Sequence, residues 1–179
     1  MTIKERLSLY DEIIGTRLPY KAKTWLLEHK YFSAPASTKY HLAYEGGLFE
    51  HSVNVTLSLL ELTKNNNLKW SRPDSPYIIG MLHDLCKCDV YLLDLSNKVY
   101  IFDTKAPKGH GDKSVDYINK YILTGENRLT EEETDCIRWH MGAFDEKENW
   151  KLYGEAIERH ENVLWTHMAD MIASKIIEK

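Results

Sequence analysis

Cysteine is scarce in this chain: Cys86, Cys88 and Cys136 are the only three, an odd number without zinc-finger spacing. That excludes a disulfide framework and a structural four-cysteine zinc site, and Cys86 and Cys88 stand too close together for a redox Cys-x-x-Cys pair. Long apolar runs are missing as well. Nothing approaches the roughly 20 residues that span a bilayer, and Met1 to Arg6 lacks the apolar core of a signal peptide, so the expectation is a cytoplasmic protein without a membrane partner. Nor is there an excess of positive charge. A formal net charge of −4 gives no basis for duplex nucleic acid as a partner, although a local basic pocket can still hold a phosphate. Internal repeats and low-complexity tracts are absent from the sequence, which argues against a solenoid or a disordered tail.

What is present is a chain of 179 residues, 43% hydrophobic, enough for one domain with a sizeable core. Within it, His83-Asp84 interrupts the apolar run around Ile78, Ile79, Leu82 and Leu85. An imidazole beside a carboxylate is hard to bury unless a cation or hydrogen bonds compensate the pair. A metal ion would do so, and further candidate ligands stand on separate segments: His51, His110, His140 and Asp170.

Those segments read as helices. Thr2-Ile3-Lys4-Glu5 has the form of a capping box for a first helix that ends before Gly15, and Pro19 can open a second that carries Trp25, Leu26 and Leu27. Residues 33–45 show no period and read as a loop. From Leu48 to Leu62 the apolar residues recur at helical spacing, and His51 shares their inner face. Ser75-Pro76 is a helix start, and the helix expected there carries His83 and Asp84. Val90 to Leu93 and Val99 to Phe102, flanking Ser96-Asn97-Lys98, read as a β-hairpin that shields one side of the site. Residues 105–113 read as a loop leading into a helix with Asp112 as N-cap and Val115, Ile118 and Ile122 as its buried stripe. Thr130 to Glu133 is a second capping box, ahead of a helix that puts Cys136, Ile137 and His140 on one face. In the last helix, from about Asn162 to Ile177, Val163, His167, Asp170 and Ser174 share a stripe.

Four histidines and two aspartates, with no thiolate required, suit one or two first-row ions among manganese, iron, cobalt, nickel and zinc, with magnesium a further candidate. Two ions are the economical fit: Asp84 bridges them, His51, His83 and Asp170 complete one, His110 and His140 the other. Such a pair, about 3.5 to 4 Å apart, supports in-line hydrolysis of a phosphate ester by a metal-activated hydroxide. Lys87, one turn beyond His83, can offset charge on phosphate oxygens, and Lys113 adds positive charge near a helix start. With a single ion, His110 and His140 become substrate-binding groups. His167 reads as a core or supporting histidine, while His29, His41 and His160 need no special role.

These residues resemble the HD-domain metal-dependent phosphohydrolase superfamily. The matching blocks are Gly46-Gly47-Leu48-Phe49-Glu50-His51, His83-Asp84-Leu85-Cys86-Lys87, Gly109-His110-Gly111-Asp112-Lys113-Ser114, Trp139-His140-Met141-Gly142 and His167-Met168-Ala169-Asp170. The resemblance implies an all-α, single-domain helical bundle around a metal site, with a hairpin excursion near 90–102. Residues 1–32 would be packing helices and 42–173 the motif-bearing core of one unit, 1–179. It implies metal binding by His51, His83, Asp84 and Asp170, with His110 and His140 as in the two-metal branches. Asp84 and Lys87 become the catalytic residues, and Lys87 and Lys113 the substrate-binding ones. The expected activity is hydrolysis of a small phosphorylated substrate, a nucleotide or a related ester. The alternatives are a one-metal nucleotidase or deoxynucleotide phosphohydrolase, a non-hydrolytic nucleotide-binding module, and a diiron oxygenase. Cys86 stands where the family often has glycine, a change that bears on how the backbone aims Lys87. There is no Gly-Tyr-Pro block, so cyclic-dinucleotide phosphodiesterases of that subgroup are not supported.

Overall fold

Local capping decides where the first helix begins. In this computed structural model, which describes residues 1–104 and 110–179, Thr2 and Glu5 satisfy each other's free N–H groups at the start of α1, Ile3–Ile14. Arg6, Tyr10 and Ile14 form its buried stripe. The Arg6 guanidinium is spent on backbone: it donates to the carbonyls of Met1 and Phe32 at 2.7 Å and of Glu45 at 2.8 Å. The irregular 33–45 stretch is thereby tied to α1. Helix α2, Tyr20–Glu28, follows Pro19 and buries Ala22 and Leu26.

The centre of the molecule is α3, Gly47–Asn66, about one turn longer than its apolar period indicates because Asn67 closes it in the left-handed conformation that asparagine tolerates. It packs against α4, Ser75–Leu82, and α8, Asn162–Ile172. The expectation that α4 carries His83 and Asp84 is corrected: α4 stops at Leu82, His83 caps it, and Asp84 leads into a 3₁₀ turn over Leu85–Asp89. Tightening at this point turns the Asp84 carboxylate and Lys87 toward the same centre, and their ion pair holds the turn.

The hairpin pairs β1, Tyr91–Asp94, with β2, Val99–Phe102, antiparallel in the register Tyr91↔Phe102 and Asp94↔Val99. Asp94 accepts from the Ser96 and Asn97 amides and closes the turn. Of the loop expected over 105–113, residues 105–109 lie outside the described residues, and 110–113 are already helical. Asp112 is not an N-cap, since α5 begins at His110 and runs to Tyr117; Asp112 lies in its first turn and pairs with Arg138 at 2.6 Å. A π-helical turn, Ile118–Ile122, extends α5, and Val115, Ile118 and Ile122 are buried as expected.

Helix α6, Glu131–Arg138, opens on the Thr130/Glu133 capping box. Glu133 is completely buried, and its carboxylate also accepts from Arg72 at 2.6 and 2.7 Å and from Ser75 at 2.8 Å. A buried anion so surrounded ties the start of α4 to the start of α6. Helix α7, Trp150–Arg159, precedes α8, which a π-helical turn over Ala173–Ile177 prolongs. The result is a mainly helical fold with one two-stranded hairpin among the described residues.

Two glycines make opposite demands. A Cβ on Gly111 would run into the Arg138 backbone carbonyl where α5 meets α6, whereas one on Gly154, inside α7, meets nothing. Gly111→Ala is expected to destabilise by about 1–3 kcal/mol through overpacking, and Gly154→Ala to stabilise by about 0.5–1 kcal/mol through helix propensity. Urea midpoints at unchanged slope measure both; two shifts of the same sign contradict this account of the packing.

Candidate metal centre

Five segments deliver polar side chains to one buried point. His51 comes from the inner face of α3, His83 and Asp84 from the end of α4, His110 from the first residue of α5, His140 from just beyond α6, and Asp170 from α8. All six expected ligand residues converge. His51, His83, Asp84 and His140 are each at most 2% exposed, so the histidine protons must be accounted for.

Backbone geometry fixes them. His83 Nδ1 lies 2.9 Å from the Gly80 carbonyl, and His140 Nδ1 lies 2.7 Å from that of Ile137. A carbonyl only accepts, so both rings carry a proton on Nδ1 and turn Nε2 inward. His51 Nδ1 likewise faces the Glu178 carboxylate at 3.0 and 3.1 Å.

The inward atoms form two groups that share Asp84. In the first, His51 Nε2 lies 3.3 Å from His83 Nε2, 3.5 Å from Asp84 Oδ2 and 3.2 Å from Asp170 Oδ1, and His83 Nε2 lies 3.4 Å from Asp84 Oδ2. Two ligands about 2.1 Å from a tetrahedral ion lie about 3.4 Å apart, which these separations match. In the second, Asp84 Oδ1 lies 2.7 Å from His110 Nε2 and 3.4 Å from His140 Nε2. The latter contact lacks hydrogen-bond geometry and leaves the buried His140 Nε2 without a partner. Mixed nitrogen and oxygen donors, one of them orphaned, can hold a metal ion.

The electrostatics point the same way. Burial alone would raise Asp84, but the charge of Lys87, then of His83 and His110, holds its carboxyl well below the usual range. Asp170 is also held low: burial opposes this, but the His51 hydrogen bond prevails. Burial would lower His51, yet hydrogen bonds to Asp170 and Glu178 raise it to about 9. A metal ion bound there would have to displace the proton from Nε2.

The two lysines are already paired. Lys87, 9% exposed, sits 2.6 Å from Asp84 Oδ2, and Lys113 bonds to Asp89. Lys87 therefore neutralises the carboxylate that both groups share, while Lys113 stands in the wall of a cleft of about 940 Å³ that also involves Tyr91, Phe102, His110, Arg138 and Trp139. The hairpin contributes to this wall through Tyr91 and Phe102. Cys86 leaves the 3₁₀ turn intact and places its sulfur 3.2 Å from His110 Nδ1; burial, with Asp84's charge, pushes this thiol up to about 12. His167 stands at the edge, where its Nδ1–H donates to the His140 carbonyl at 2.8 Å.

Two residues were not legible as participants. His41, expected to have no special role, packs with its ring tilted against that of His51, centroids 4.9 Å apart, and is lowered to about 4 by burial and by the charges of His51 and Lys87. Its loop has no period to reveal this. Glu178 had a signal: Asp170, Ser174 and Glu178 follow each other by four, so extending the α8 stripe one step reaches it. No helix among the described residues is long and apolar enough to cross a membrane. No family model, curated protein or solved structure matches the chain.

Proposed function

We propose that this chain is a metal-dependent phosphohydrolase of the HD-domain type, acting on a nucleotide or a related small phosphate ester. The observation that carries the reading is the pair of donor groups sharing Asp84, one with ligand-like spacing and the other with an unpartnered buried imidazole nitrogen. The resemblance of the five sequence blocks supplies the reaction class. When bound, one or two divalent transition ions would neutralise phosphoryl charge and acidify a water.

The side chains have separate tasks. His51, His83 and Asp170 would hold one ion and His110 and His140 a second, with Asp84 available to both. Lys87 keeps that buried carboxylate anionic and offsets charge that grows on the phosphoryl oxygens. His110, with a side chain 34% exposed, is where the centre opens to the cleft. Tyr91, Phe102 and Trp139 offer aromatic surface to the body of the substrate. Arg138, Lys113 and Arg159 in the same wall are each paired with Asp112, Asp89 and Asp135, which favours substrates with little charge beyond the reacting phosphate.

The test combines elemental analysis of the purified protein with turnover of nucleotide monoesters, diesters and triphosphates in manganese, cobalt and magnesium. Two ions per chain with cleavage of an ester are expected. One ion with phosphate release moves His110 and His140 to substrate binding, metal without turnover leaves a binding module, and no metal at all overturns the reading.

A further inference from the structure

Behind the metal-facing side of His51 stands a carboxylate from the far end of the chain. Glu178 has a side chain only 1% exposed. Its Oε1 accepts from His51 Nδ1 at 3.0 Å and from Asn54 Nδ2 at 3.0 Å, and its Oε2 lies 3.1 Å from the same Nδ1. Burying a carboxylate in this way costs several kcal/mol unless its partners are fixed. Both partners come from α3, 127 and 124 residues away in sequence.

The geometry assigns a division of labour along one helical ridge. Asp170 addresses His51 Nε2 at 3.2 Å, while Glu178, two four-residue steps further on, addresses Nδ1 of the same ring. We propose that Glu178 is a positioning residue: it holds the His51 proton on Nδ1, locks the ring's orientation and aims the Nε2 lone pair at the metal. The closing turn of the last helix is then part of the metal centre, and its seating sets metal affinity. This role rests on the metal reading above. The contact distance to Nδ1 is that of a hydrogen bond, so Glu178 supports a ligand and is not one itself, although His41, His51 and Glu178 also lie close enough together to form a three-residue donor group.

The experiment titrates the metal-free full chain with Co²⁺, following visible absorption for the coordination sphere and dissociation constants for affinity. Glu178→Ala is expected to weaken Co²⁺ binding about 10- to 100-fold with the number of ions per chain unchanged. Glu178→Gln keeps an acceptor oxygen at the same reach and is expected to recover part of that loss; it also serves should Glu178→Ala fail to fold. A thermal midpoint of each metal-free variant separates affinity from simple loss of stability. Wild-type affinity in both variants, with Co²⁺ bound normally by the parent, overturns the positioning role alone. Loss of one whole ion per chain in Glu178→Gln makes the residue a ligand and overturns it too. No Co²⁺ binding by the parent removes the metal reading and this role together.

Discussion

Asp84→Asn is expected to lower phosphate-ester hydrolysis by about three orders of magnitude. A metal-centred reaction draws several kcal/mol of its acceleration from charge held at the phosphoryl group, and about 1.4 kcal/mol corresponds to each tenfold in rate. Asp84 is the one carboxylate common to both donor groups. Asparagine keeps its shape but offers a single neutral acceptor and turns an NH₂ toward His110 or Lys87, which donate already. The substitution also leaves the Lys87 ammonium buried without its counter-charge, a loss of about 3–5 kcal/mol. Asp84→Asn/Lys87→Met separates the two effects: stability returns in the urea midpoint, while kcat/KM stays low. A folded Asp84→Asn protein with wild-type kcat/KM would refute the assignment.

Saturating the metal-free protein with Mn²⁺ or Co²⁺ is expected to raise Tm by about 10 °C, and a chelator to reverse the gain. An ion at 1,000 times its dissociation constant stabilises the fold that binds it by about 4 kcal/mol, and each kcal/mol moves Tm by about 2–4 °C for a chain of this length. The premise is that only the folded chain assembles the site. The donor residues run from His51 to Asp170 in sequence and meet only when α3, α4, α6 and α8 are packed together. His83→Ala, which removes a donor without leaving a buried charge, is expected to abolish most of the rise. A midpoint indifferent to metal at saturating concentration would show that the donor groups are structural.

The parts of this fold that could be read from sequence are those decided within a few residues. Thr2 with Glu5, and Thr130 with Glu133, are three apart, so their capping boxes announce helix starts without knowledge of the rest of the chain. The hairpin and the inward face of α3 follow from periods of two and of three to four. The convergence of His51, His83, Asp84, His110, His140 and Asp170 needed the motif blocks as well, since no local rule links α3 to α8. What escaped was set by distant partners. The end of α4 at Leu82 depends on where Asp84 and Lys87 meet, Asp112 is drawn to Arg138 26 residues away, Lys87 is committed to an aspartate that a linear reading assigns to the metal, and Lys113 to Asp89, which it leaves unassigned. His41 lay in an aperiodic loop, and Glu178 fell one step past the stripe that would have included it.

The Arg6 clamp gives that loop a different character from its appearance. Residues 33–45 have no regular structure, yet the carbonyls of Phe32 and Glu45 are fastened to α1, and the loop's own ladder runs from Gly46 N–H to Ser33, Leu48 N–H to Ala34 and Ala36 N–H to Leu42. The Ala36, Gly46 and Leu48 amides are therefore expected to reach solvent exchange when α1 detaches, rather than by local fluctuation of the loop. The buried stretch 34–37 thus belongs with the slow-exchanging unit of the molecule, while Lys39 and Tyr40, both exposed, mark where a protease would enter first.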